Sequence, residues 1–320
     1  MNEIVKRIYE IGIVPVIALD DAEKAVPLAK ALVAGGLPAA EVTFRTAAAE
    51  EAIKRISTEV PEMLVGAGTV LTKEQVDRAM AAGSQFIVSP GFNPEITRYA
   101  LDKGAVMMPG TATPGEMEQA MSMGLDVVKF FPAEQNGGIA KLKAVAGPYR
   151  NLMWMPTGGV NAKNLNDYLS FDKIVACGGT WMVKKDLIDA GKFDEIEKLT
   201  REAVDAMLGF ELGHIGINNE NDQEAMALAN LFNKAFGFDV NEGNSSIFCG
   251  NRGFELMKSQ GRGAKGHIAI KTNTVDRAVA HLQMRGFEFE EESRSVKNGK
   301  TTAIYLKGDF AGFAVHLVQK

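Results

Sequence analysis

Between residues 14 and 208 the chain repeats one pattern, a short apolar run followed by an amphipathic helical segment. That alternation limits the possible folds more than any other feature. The apolar runs are VPVIAL (14–19), AAEVTF (39–44), LVGAGTV (64–70), FIVSPG (86–91), AVMMPG (105–110), DVVKFFPA (126–133), LMWMPTGG (152–159) and KIVACGGTW (173–181). Helical segments such as 21–34, 47–59, 73–82 and 94–103 lie between them, and a last helix covers roughly 193–208. Strands that alternate with helices form parallel sheets joined by right-handed crossovers. Eight such units in about 200 residues fit a compact (β/α)8 barrel. A doubly wound open sheet is the main alternative, but it would use chiefly the strands at its switch point. Here polar and glycine residues recur at the C-terminal end of nearly every strand, and in a barrel those ends share one mouth.

The character changes after Leu208. Residues 210–320 read as strand, helix and three strands, twice over. The first copy has GHIGIN (213–218), a helix at 223–236, then GFDVNE, SSIFCG and RGFELMK. The second has GHIAIK (266–271), a helix at 274–285, then GFEFEEE, TTAIYLK and GFAVHLV. Each copy opens on Gly-His-Ile and closes on a strand with a side chain able to coordinate metal, an internal repeat of roughly 50 residues. The expected architecture is therefore α/β: a (β/α)8 barrel over 1–208, then an α+β domain of paired βαβββ modules over 210–320.

Composition narrows the function classes. The 320 residues are 46% hydrophobic and 23% charged, ordinary for a globular protein with one large and one smaller core. A net charge of −5 gives no basic footprint for nucleic acid. No apolar run is long enough to span a membrane. The N-terminal MNEIVKRIYEIG reads as an amphipathic helix and not as a signal peptide. Cys177 and Cys249 stand far apart and read as isolated buried thiols, consistent with a cytoplasmic protein. All four histidines (His214, His267, His281 and His316) lie in the last third. The first two thirds must therefore do any acid–base chemistry without imidazole.

Side chains alternate between the interior and the helix layer along a barrel strand. Lys129 thus shares a face with Val127 and Phe131, and Glu41, Thr43 and Arg45 share another inward face. A lysine within an apolar strand is costly to bury charged, and a neutral amine is the form that attacks a ketone. The bland alternative is a strand-end lysine that reaches solvent. It loses to the polar groups aimed at the same mouth. Any chemistry through an imine on such a lysine must move protons, and without histidine Glu41 is the best candidate. Arg45 can hold a 2-keto acid carboxylate by paired hydrogen bonds. A structural Glu41–Arg45 salt bridge is the competing reading of that pair. The seventh and eighth strands end in Pro-Thr-Gly-Gly (156–159) and Cys-Gly-Gly-Thr (177–180), where backbone N–H groups can approach an anion, helped by a following helix N-terminus.

These stretches, EVTFRT (41–46), VGAGTV (65–70), FIVSPGF (86–92), VKFFPAE (128–134), PTGGV (156–160) and CGGTW (177–181), resemble 2-keto-3-deoxy-6-phosphogluconate aldolases, including those called 4-hydroxy-2-oxoglutarate aldolases. The resemblance covers residues 1 to about 208. It implies Lys129 as Schiff-base lysine and Glu41 as acid/base, with Arg45, Thr69, Pro90 and Thr157 around the pyruvate part. It places the substrate phosphate near Gly158, Gly159, Gly179 and Thr180. It also implies a homotrimer that needs no cofactor for the aldol chemistry. Several members carry a phosphate-binding arginine near the end of the first strand, where this chain has Ala18. That departure puts strict preference for a phosphorylated substrate in doubt. A different phosphate-binding barrel enzyme, such as an isomerase with Lys129 only neutralising an anion, is the alternative.

Residues 210–320 resemble the vicinal oxygen chelate superfamily, which includes glyoxalase I. In that fold the first and last strands of each copy hold a divalent ion. The matching positions are His214 and Glu255 in one copy and His267 and His316 in the other. Three nitrogens and one oxygen suit Zn²⁺, Ni²⁺, Co²⁺, Mn²⁺ or Fe²⁺. His281 matches no ligand position and is expected on the surface. The competing reading is a non-catalytic binding or assembly module.

Overall fold

The computed structural model describes residues 2–320. The chain divides into two compact units, residues 1–207 and 208–320. None of the helices is long and apolar enough to cross a membrane among the described residues.

The first unit opens with α1 (Glu3–Ile11), whose Val5, Ile8 and Ile11 fall on one face and are buried. The Asn2 side chain caps its start by accepting from the Ile4 N–H, and Gly12 ends it in the left-handed conformation. Then follow β1 (Ile13–Ile17), α2 (Ala25–Gly35), β2 (Ala39–Thr43), α3 (Ala49–Glu59), β3 (Leu64–Gly68), α4 (Lys73–Ala81), β4 (Phe86–Val88) and α5 (Pro94–Asp102). Next come β5 (Met107–Met108), β6 (Gly110–Thr111), α6 (Pro114–Ser122), β7 (Val127–Phe130), α7 (Gly138–Val145) and β8 (Met153–Pro156). The unit closes with α8 (Leu165–Leu169), β9 (Cys177–Gly179), α9 (Lys185–Asp189) and α10 (Phe193–Leu208). Side-chain caps from Thr72, Asn93 and Thr113 start α4, α5 and α6, the last with a reciprocal Glu116 contact. Each such cap is worth about 1 kcal/mol, which helps explain why the helices begin where they do.

The strands make a curled parallel sheet that pairs in chain order, β1 to β5 and β6 to β8. The fifth strand expected from AVMMPG is split by Pro109, which has no N–H to give the ladder, into β5 and β6. The curl is carried round by isolated bridges Trp154–Ile174 and Thr157–Gly178 and by pairing of β9 with β1. The strands are buried on both faces, which is why they read as nearly continuous apolar runs.

The second unit contains β10 (Glu211–Asn218), α11 (Asp222–Phe236), β11 (Val240–Glu242), β12 (Ser246–Cys249) and β13 (Phe254–Met257). It repeats with β14 (Gly266–Thr272), α12 (Val275–Met284), β15 (Phe289–Lys297), β16 (Lys300–Leu306) and β17 (Phe313–Gln319). All eight strands join one sheet in the order β11-β12-β13-β10-β14-β17-β16-β15. The opening strands β10 and β14 pair antiparallel at its centre, and each copy's closing strand lies beside its own opening strand. Ala225 and Ala229 of α11 pack on Ile247, Cys249 and Leu256, and Phe232 stacks on Phe254 at 4.9 Å.

Candidate functional site

Every site residue expected in the first unit lines one cavity of about 270 Å³: Glu41, Arg45, Thr69, Pro90, Lys129, Thr157, Gly158, Gly159, Gly179 and Thr180. Apart from Glu41, which lies at the middle of β2, they sit near or just beyond the C-terminal ends of their strands. Lys129 on β7 is 4% exposed and Glu41 on β2 is 1% exposed. The Lys129 ammonium lies 3.1 Å from Glu41 Oε1 and 3.4 Å from Oε2. A buried amine and carboxylate at that distance can pass a proton directly. The expected alternative, a Glu41–Arg45 salt bridge, is not what the side chains make. Arg45 Nε donates to Thr43 Oγ1 at 3.1 Å, and Thr43 Oγ1 in turn donates to the Ile17 carbonyl.

Glycine makes this contact possible. A Cβ on Gly68 of β3 would stand 2.2 Å from Glu41 Oε1, so the carboxylate fills the space a side chain would take. Thr157 Oγ1 is buried with no hydrogen-bond partner among the described residues, leaving one hydroxyl for a ligand. Gly158 and Gly159 have φ of 98° and 81°, the left-handed region that lets a tight turn follow β8. The expected help from a helix end is not supplied as the sequence suggested. The next helices start only at Leu165 and Lys185 and are five residues each. An anion at this end of the cavity would therefore meet the turns and not a helix end. Val16, Thr43, Phe131, Val160 and Gly178 also line the cavity. Thr43 and Phe131 were legible, since alternation puts them on the faces of Glu41 and Lys129. Val16 and Val160 carry no chemical signal in sequence.

In the second unit, the pairing register brings the four expected metal ligands together. His214 on β10 pairs with Ala269 of β14, and His267 on β14 pairs with Gly216 of β10. Glu255 on β13 pairs with that same Gly216, and His316 on β17 pairs with Ala269. The two copies are thus related position by position, and each ligand lies beside a residue with little or no side chain. A Cβ on Gly216 would meet the His267 ring at 2.1 Å. His214 Nε2 is 3.0 Å from His267 Nε2, and Glu255 Oε2 is 3.0 and 3.2 Å from those two nitrogens. His316 completes the group, with nitrogens of the three histidines within 4.8 Å of one another.

Burial opposes the charge on Glu255, but hydrogen bonds with His214, His267 and Ser246 outweigh it and hold the carboxyl well below the usual carboxylate range. Burial, reinforced by His267 and His214, pushes His316 down to about 3, so it is neutral at ordinary pH, the form that binds metal. Its Nε2 is buried without a partner among the described residues. Ligand atoms about 2.0–2.2 Å from one ion stand roughly 4.5 Å apart at most. The set is already near that spacing, and one carboxylate with three imidazoles suits a divalent cation. His281 departs from expectation: it is 1% exposed on α12, beside Arg277 at 2%. The buried face of that helix includes polar side chains, which residue type alone did not reveal.

A buried lysine facing a carboxylate at the mouth of a curled parallel sheet supplies the groups that a carbon–carbon lyase of the Schiff-base type needs. A family model described as "Aldolase: KDPG and KHG aldolase" matches residues 4–199, and the chain belongs to that family. It is 47% identical over 204 residues to a 2-dehydro-3-deoxy-phosphogluconate aldolase of Haemophilus influenzae, spanning 64% of this chain and 96% of that one. It is 46% identical over 193 residues to the KHG/KDPG aldolase of Escherichia coli K12, spanning 60% of this chain and 91% of that one. The fold is similar to that of a Legionella pneumophila KDPG aldolase crystallised with pyruvate captured as a covalent carbinolamine. That likeness has a TM-score of 0.60 at 36% identity, over 62% of this chain and 97% of that one.

Proposed function

We propose that the first unit splits 2-keto-3-deoxy-6-phosphogluconate into pyruvate and glyceraldehyde 3-phosphate through an imine on Lys129. The buried Lys129–Glu41 contact at 3.1 Å carries this reading. The Glu41 carboxylate takes a proton from the ammonium, and the freed amine adds to the C2 carbonyl. The same proton goes to the departing hydroxyl as the carbinolamine loses water. Glu41 then takes the C4 hydroxyl proton while the C3–C4 electron pair moves toward the iminium and the aldehyde leaves. It returns that proton to C3 of the enamine, and hydrolysis releases pyruvate and Lys129. Arg45, oriented by Thr43, would hold the substrate carboxylate, with Thr69, Pro90 and Thr157 around the three-carbon part. Gly158, Gly159, Gly179 and Thr180 would take the phosphate.

Breadth of substrate is part of the reading. Arg45 and Lys129 are the cations among the cavity-lining residues, and the distal end is lined by glycines, Val160 and Thr180. With Ala18 at the end of β1, backbone N–H groups must do most of the work on a phosphate. This supports cleavage of unphosphorylated 4-hydroxy-2-oxoglutarate, to pyruvate and glyoxylate, by the same pocket. Homotrimeric assembly is proposed on family membership alone.

For the second unit, a vicinal oxygen chelate-like domain, the reading is divalent-cation binding by His214, Glu255, His267 and His316. The matched register of the two copies and the orphaned His316 nitrogen support it. Such an ion would supply a Lewis acid able to polarise a substrate oxygen.

Borohydride trapping with pyruvate tests the leading claim. The wild type should lose activity and carry the adduct on Lys129, and Lys129→Met should incorporate none. Full incorporation by a folded Lys129→Met variant would hand the role to another lysine.

A further inference from the structure

We propose that Ser246 is a positioning residue for the metal centre: it occupies Glu255 Oε1 so that the carboxylate offers the ion one oxygen, Oε2. The inference rests on the reading of the second unit as a cation site and adds a residue to it. Ser246 is 4% exposed, and its hydroxyl donates to Glu255 Oε1 at 2.7 Å. The other oxygen is the one that stands 3.0 and 3.2 Å from His214 and His267. A carboxylate with one oxygen engaged by a buried hydroxyl cannot rotate both toward one ion without breaking that bond.

The repeat supplies an independent argument. In β12 and β13, Phe248 pairs with Glu255, Ile247 with Leu256 and Ser246 with Met257. In β16 and β17, Tyr305 pairs with His316, Ile304 with Leu317 and Ala303 with Val318. SIF (246–248) and AIY (303–305) therefore occupy equivalent places, and Ser246 corresponds to Ala303. The copy that closes on a carboxylate carries a hydroxyl two residues before its aromatic. The copy that closes on an imidazole carries a methyl there, and its ring is instead braced by Tyr305, stacked on His316 at 4.6 Å. An imidazole offers one ring nitrogen at a time to the ion, so it needs no group to occupy a second donor. A carboxylate has two equivalent oxygens and does.

Partners that orient a ligand typically change metal affinity by about 10- to 100-fold. The full chain is titrated with Co²⁺ alone, by competition with a chromogenic chelator and by the visible absorption of the bound ion. Ser246→Ala should weaken Co²⁺ binding by about that factor and change the absorption band, whereas Ser246→Thr, which keeps a hydroxyl, should restore both. In a Glu255→Gln background the Ser246→Ala change should add little, because the two act as one unit. Unchanged thermal melting and an unchanged far-UV circular dichroism spectrum would show that the variants are folded. Wild-type affinity and spectrum in Ser246→Ala, or full additivity with Glu255→Gln, overturns the positioning role alone. A wild-type chain that takes up no Co²⁺ overturns the cation-site reading and this inference with it.

Discussion

At the scale of single residues, Lys129 and Glu41 were legible because a barrel strand has a period of two and a lysine in VVKF cannot be ordinary core. The distance between them was not, since 88 positions separate the two in the chain. Their pairing makes a sharp prediction for Glu41→Gln. The amide keeps the shape of the pocket but cannot accept the proton. Pyruvate should still bind, while exchange of its methyl protons with solvent slows by roughly 10²-fold or more. Deuterium incorporation followed by NMR measures it, and a wild-type exchange rate would remove Glu41 from the proton route. His281 shows the limit of reading by residue type. Histidine suits both surface and core, and only the packing around α12 decided that it is buried.

Elements were read well where propensity and pattern agreed. The strand–helix alternation and the duplicated strand–helix–three-strand unit both follow from hydrophobic period and turn residues. Pro109 breaking the fifth strand follows from proline lacking an N–H, although the apolar run AVMMPG masked it. What the pattern could not supply is which neighbouring strand leaves room for a side chain. Gly68 on β3 matters because Glu41 on β2 fills the space above it. Gly68→Ala should lower the melting temperature, since the new Cβ would stand 2.6 Å from Glu41 Cγ and displace a buried carboxylate from its lysine. It should push the carboxylate off Lys129 and lower kcat/KM by roughly 10²-fold, the scale of a lost acid–base group. Steady-state kinetics beside a melting curve would test it. Unimpaired turnover would mean that Glu41 has more freedom than the packing allows.

On the scale of the whole molecule, the two proposed chemistries, imine formation in one unit and cation binding in the other, should separate by metal dependence. An imine supplies the electron sink for retro-aldol cleavage without a metal. Chelator-treated protein, shown by elemental analysis to be metal-free, should therefore still cleave 2-keto-3-deoxy-6-phosphogluconate and 4-hydroxy-2-oxoglutarate. Their kcat/KM values should differ by less than about 10⁴-fold, the range where loss of a dedicated polar contact becomes decisive. Loss of turnover on chelation would tie the aldolase reaction to metal. The sequence alone was enough to read the two-part organisation, the parallel sheet, the duplicated module and the candidate reactive residues. These follow from local properties: hydrophobic period, turn chemistry and the cost of placing charged or coordinating side chains on apolar strands. Only the tertiary structure decided which of those residues meet. It paired Glu41 with Lys129 in place of Arg45, put the glycine turns after β8 and β9 ahead of any helix end, and matched the two copies so that Gly216 and Ala269 make room for the histidines. Such meetings depend on strand register and on the space left by neighbouring side chains, and both are set by chain segments far apart in sequence.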